Sequence, residues 1–70
     1  MDIQERPDWQ QRVFKEKEEL DERLVKLQAF ICSDFARNLP GQDYQLLNQQ
    51  EQAMSLYSAV LDARIKRFEQ

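Results

Sequence analysis

Two short stretches at opposite ends of the sequence hold residues able to do chemistry on an anion. One contains Trp9, Arg12, Phe14 and Lys15; the other contains Arg64, Lys66, Arg67 and Phe68. Guanidinium and ammonium groups bind phosphate, and aromatic faces stack on bases and attract cations. Together they suit a phosphorylated nucleobase ligand. Catalysis is a different matter. The chain has no histidine and a single cysteine, Cys32. It shows no glycine-rich phosphate loop, no nucleophile elbow and no paired metal ligands. The expectation is therefore binding rather than an enzyme, with no cofactor and no metal.

The two stretches meet only if the chain folds back on itself. Apolar residues at Val13, Leu20, Leu24, Leu27 and Ile31, led by Trp9, follow helical spacing, with Lys17 at the one polar position of that seam. Asp8 is the expected N-cap, with Gln11 in the capping-box position. Pairs four apart, Asp8 with Arg12, Glu19 with Arg23 and Glu22 with Lys26, support the outer face. The Glu16 to Glu22 acidic run reads as a solvated face. Helix 1 should end near Cys32. Ser33 to Asn38 should make a short helical turn capped by Ser33, with Phe35 folding inward, and Leu39-Pro40-Gly41 breaks the pattern. Helix 2 begins at about Pro40 to Asp43 and runs almost to the C-terminus. At ~1.5 Å per residue both long helices span ~35–40 Å. The predicted fold is all-α: an antiparallel two-helix hairpin with a short helical turn between the helices, oligomerising. Residues 1–7 are expected to be a mobile N-terminal segment, and 8–70 the hairpin domain.

In that hairpin Trp9, Arg12, Lys15, Arg64 and Arg67 come to one end, and they form the candidate ligand site. The N-terminus of helix 1 opens there as well. Trp9, Tyr44 or Tyr57 is the candidate stacking ring. The same residues also have a purely structural use. Basic residues in a last turn complement the helix dipole, and Trp9 with Phe68 can staple the hairpin end.

Helix 2 has an unusually wide apolar face. One row reads Leu47, Met54, Tyr57, Leu61, Phe68, interrupted by Gln50 and Arg64; a second reads Leu46, Ala53, Val60. One neighbouring helix covers only a narrow seam. Self-association is expected, with Leu47, Gln50, Met54, Tyr57 and Leu61 as candidate interface. From Asn48 to Val60 the only charge is Glu51, which fits either a packed interface or a merely polar exposed face.

Composition sets the remaining bounds. Seventy residues make one domain at most, and a core this small needs a staple or a partner. One cysteine allows no internal disulfide, and Cys32 reads as a small buried hydrophobe in a reduced protein. Charged residues make up 33% of the chain, with one glycine and two prolines, which is helical composition; the net charge of −3 does not define a partner. No apolar run approaches a membrane span and no signal-peptide core is seen, so a soluble cytoplasmic protein is expected.

The fragments Glu16-Lys17-Glu18-Glu19-Leu20-Asp21-Glu22, Lys26-Leu27, Phe30-Ile31, Leu39-Pro40, Leu46-Leu47-x-x-Gln50, Ala53-Met54-x-x-Tyr57 and Val60-Leu61-x-x-Arg64-Ile65 resemble short phage and prophage accessory proteins of the crAss-like and tailed-phage type. More distantly, the two-helix hairpin is similar to that of anti-CBASS and anti-Thoeris sponge proteins. The resemblance implies a phage-encoded counter-defence protein in the host bacterial cytoplasm. It would oligomerise and sequester cyclic di- or trinucleotide immune signals without cleaving them, with no binding to nucleic-acid polymers or membranes. The other class that fits is a small interaction module or inhibitor docking on a host or phage protein through helix 2.

Overall fold

The computed structural model describes residues 5–68. Three helices follow in order: α1 Asp8–Ile31, α2 Asp34–Arg37 and α3 Gly41–Arg67. No strand occurs among the described residues. α1 and α3 lie along each other as a hairpin of 48 × 16 × 14 Å, and α2 is the short helical turn at its closed end.

Both long helices start by the same device. Pro7 precedes α1 at φ −54°, ψ 148°, and Pro40 precedes α3 at φ −51°, ψ 143°. The pyrrolidine ring fixes φ, and the extended ψ aims the proline carbonyl along the coming helix. The Pro7 carbonyl accepts from the backbone N–H of Gln10 and Gln11 at 3.0 and 3.1 Å, and that of Pro40 from Tyr44 N–H at 3.0 Å. Asp8 is thus not the N-cap expected from the sequence. It is the first helical residue, where its charge still favours the positive end of the dipole. Gln11 does not close a capping box; its amide donates to the Arg6 carbonyl at 2.7 Å.

α1 ends on schedule, with Cys32 as its C-cap. Ser33 then serves both sides of the break. Its hydroxyl donates to the Phe30 carbonyl at 2.6 Å and accepts from Ala36 N–H at 3.2 Å. The inward residue of α2 is Ala36, fully buried, whereas Phe35 is 70% exposed. This reverses the expectation for Phe35. A one-turn helix pressed against the hairpin end has room for a methyl group but not a benzyl group, so Phe35 turns out and rests against Phe30. Cys32 is also exposed, not buried, because the chain leaves the seam at the C-cap.

The core is a single seam. Val13, Leu20 and Leu61 are buried, with Met54, Ile65 and Phe68 packed on them. A polar layer crosses it where Lys17 stood out in the sequence. The Lys17 ammonium donates to Asp21 Oδ2 at 2.6 Å and to Ser58 Oγ at 3.2 Å, and Ser58 Oγ donates to Asp21 Oδ1 at 2.5 Å. Farther along, Gln28 donates to Glu51 at 3.2 Å, and Tyr44 OH reaches the Ile31 carbonyl at 3.4 Å. Among the described residues, ion pairs form at Lys17–Asp21 and Asp62–Lys66. The three spaced pairs named on the outer face of α1 do not close, as is common for exposed charges that gain little from ordering.

Of the segment expected to be mobile, residues 1–4 lie outside the described residues. Arg6 is half-buried, with its guanidinium 5.5 Å from the centre of the Phe14 ring.

Candidate functional site at the open end of the hairpin

The antiparallel arrangement brings the start of α1 beside the end of α3. Phe68, the C-cap of α3, sits between two rings of α1. Its centroid lies 5.2 Å from Trp9, nearly perpendicular, and 6.0 Å from Phe14. Such edge-to-face pairs add about 0.5–1.5 kcal/mol beyond their buried area. The staple function is therefore real, but it does not consume Trp9, which remains 52% exposed.

Beside that half-exposed indole lies an open concavity of about 400 Å³, lined by Trp9, Gln10, Arg64, Arg67 and Phe68. Its volume falls within the range of small-molecule sites. Arg64 and Arg67 are exposed and have no acidic partner among the described residues. They stand one helical turn apart, so both guanidinium groups project on the same side as Trp9. Two forked cations next to an aromatic face can hold a phosphate and a base of one ligand.

The five residues singled out in the sequence do not form one site. Arg12 and Lys15 line a separate concavity on the outer side of α1, with Gln11 and Phe14, and Asp8 and Glu18 share it. Two carboxylates offset the two cations there. Tyr44 lies at the closed end, bonded to the Ile31 carbonyl, which separates it from Trp9 by the length of the hairpin. Tyr57 is 43% exposed on the outer side of α3.

The five candidate interface residues also divide. Leu61 is 1% exposed, sealed against α1, and Met54 packs on the same core. Leu47 is half-buried, while Gln50 and Tyr57 are exposed. Sequence reading passed over Leu56, which is 68% exposed on the outer face of α3. Its signal was present in the spacing: Leu46, Ala53 and Val60 at intervals of seven, with Leu56 and Ala63 interleaved. The polar layer was half visible through Lys17, but its partners Asp21 and Ser58 could be assigned only once the register was known.

Among the described residues, Asp21 is the group whose titration is shifted. The Lys17 ammonium and the Ser58 hydroxyl, bonding the charged form, hold its carboxyl below the usual range. No group of three or more potential metal ligands occurs among the described residues, and no described helix is long and apolar enough to cross a membrane.

Neither the comparison with curated proteins nor that with solved structures gives a match. The family model described as Sequestin matches residues 7–67, which covers α1, the turn and α3 together. The chain belongs to the Sequestin family.

Proposed function

We propose that this protein is a phage-encoded counter-defence protein that binds and sequesters a cyclic oligonucleotide immune signal, leaves it chemically intact, and works as a homo-oligomer in the host bacterial cytoplasm. The observation that carries this reading is the concavity at the open end. Trp9 offers a face for a base, and Arg64 and Arg67 offer charge for phosphates. The family description points the same way, since its name denotes sequestration. Arg12 and Lys15, around the shoulder of α1, attract the anion at longer range and make no direct contact with it.

Calorimetry against a panel of cyclic di- and trinucleotides tests the reading. Arg64→Glu and Arg67→Glu should each weaken binding by roughly 10-fold or more, because each removes a charge-assisted contact. Glu22→Lys should leave it unchanged. Ligand released by denaturation should be recovered unaltered. Absence of binding by the wild-type chain, or recovery of a cleaved product, would overturn it.

A second reading is favoured by one observation, the row of exposed apolar side chains on α3 (Leu46, Leu56, Tyr57 and Val60). On that reading α3 docks on a host or phage protein. A panel without a binder, together with a monomeric chain, would bring it forward.

A further inference from the structure

α3 has two apolar stripes, and α1 covers only one. The outer stripe is Leu46, Gln49, Ala53, Leu56, Val60 and Ala63, all exposed. Their alternating spacings of three and four are a heptad seam, continuous over more than two heptads. Leu46, Leu56 and Val60 are 55%, 68% and 50% exposed. This is the pattern of a helix that pairs with another helix.

We infer that this stripe pairs antiparallel with the same stripe of a second copy, and that the second copy completes the ligand site. The inference rests on the self-association proposed above, and adds its geometry. Two features of the sequence on this face select the antiparallel direction. The first is size. Running antiparallel, the layers match Leu46 with Ala63, Gln49 with Val60, and Ala53 with Leu56 of the second copy. Each leucine meets an alanine, which fills space evenly. A parallel pair would set leucine on leucine and alanine on alanine, leaving gaps between crowded layers. The second feature is charge. α3 carries Asp43 in its first turn and Arg64, Lys66 and Arg67 in its last. In the antiparallel register Asp43 of one copy flanks Arg64 of the other, at both ends. A parallel pair would set Arg67, which continues the seam, against its own copy. The opposed helix dipoles favour the same direction.

The consequence reaches the site. The first turn of the second copy's α3 arrives beside the Trp9 concavity, with its Gln42 opposite Arg67. One carboxylate faces two guanidinium groups, so each site keeps net positive charge. Asp43 holds one edge of the Arg64 guanidinium, whose remaining N–H groups stay open to the anion together with Arg67, and Gln42 adds an amide for a base edge. A symmetric dimer carries two such sites.

Charge reversal with rescue, read by sedimentation equilibrium without ligand, tests the geometry. Wild type should be a dimer at micromolar concentration. Asp43→Arg and Arg64→Asp should each weaken the dimer several-fold, and the double variant should recover most of the loss. Positions 43 and 64 are about 30 Å apart on one helix, so recovery can arise only between copies. Leu56→Asp should give a monomer with unchanged helical circular dichroism, because Leu56 takes no part in the hairpin core. A wild-type monomer at ~100 μM would sink self-association altogether. A dimer in which the double variant shows no recovery, or one that withstands Leu56→Asp, would overturn the antiparallel pairing and leave the ligand proposal standing.

Discussion

Arg64 and Arg67 differ from Arg12 and Lys15 in their surroundings rather than in their chemistry. The first pair borders Trp9 and meets no acid among the described residues of its own chain, while the second shares its concavity with Asp8 and Glu18. Reversing Arg12 and Lys15 together should therefore change affinity less than either Arg64→Glu or Arg67→Glu, as measured by calorimetry in low salt. The difference should shrink for all four as salt rises, because exposed charges are screened over about 10 Å at 0.1 M. Asp21 gives a second prediction at this scale. Its folded pKa is depressed by Lys17 and Ser58. A group with a depressed folded pKa binds fewer protons in the native state. It therefore adds stability above its unfolded pKa, and that stability is lost as pH falls through the folded value. Wild type should lose melting temperature between neutral pH and pH 3. Asp21→Asn should start lower at pH 7 and lose less over the same interval. Thermal melts read by circular dichroism at each pH decide this; an Asp21→Asn chain with the same acid slope as wild type would mean that the bonds to Lys17 and Ser58 do not persist in solution.

At the scale of elements, the hairpin depends on how sharply α1 is stopped and α3 restarted. Ser33 is the hinge of that arrangement, accepting from Ala36 N–H and donating to the Phe30 carbonyl. Ser33→Ala should destabilise the fold by about 1 kcal/mol, the usual worth of an N-cap. Ala36→Leu should cost more, about 1–3 kcal/mol, because Ala36 is fully buried and has no space for extra methylenes. Phe35→Ser should be nearly neutral, since the ring stands mostly in solvent. In the seam itself, Leu61→Ala should destabilise by about 2–5 kcal/mol. Urea titrations of the four variants would rank them. If Phe35→Ser proved the most damaging, the outward placement of that ring would be wrong.

For the whole molecule the governing fact is thinness. A body 14–16 Å across is two helices side by side, with only Val13, Leu20 and Leu61 of the described residues buried in the seam. Such a fold gains stability from whatever binds it when folded. Melting temperature should rise with protein concentration, as association of folded chains requires, and scans from micromolar to near-millimolar protein test this. A melting temperature independent of concentration would mean that the hairpin stands alone. The polar layer of Lys17, Asp21 and Ser58 has a second role at this scale. Sliding α3 by one turn would separate Ser58 from Asp21 and leave Lys17 against apolar side chains, so the layer selects one register.

The sequence by itself determined the all-α hairpin, the extent of both long helices and the break between them. These follow from periodicity, proline chemistry and the Ser33 cap, all of which act over a few neighbouring residues. It also marked the basic and aromatic residues at both ends of the chain. Which of them share a concavity was decided only by tertiary structure. That depends on how far each helix is rotated about its axis when the seam closes. Trp9, Arg64 and Arg67 lie at the seam's margin and meet, whereas Arg12 and Lys15 are carried round to the outer side of α1. The same rotation settled α3. Its width read as one broad face in the sequence, but α1 takes Met54, Leu61 and Ile65 and leaves Leu46, Leu56 and Val60 outside. Local spacing separates the two rows but cannot say which of them α1 covers, because both are helical; only the tertiary packing decides that.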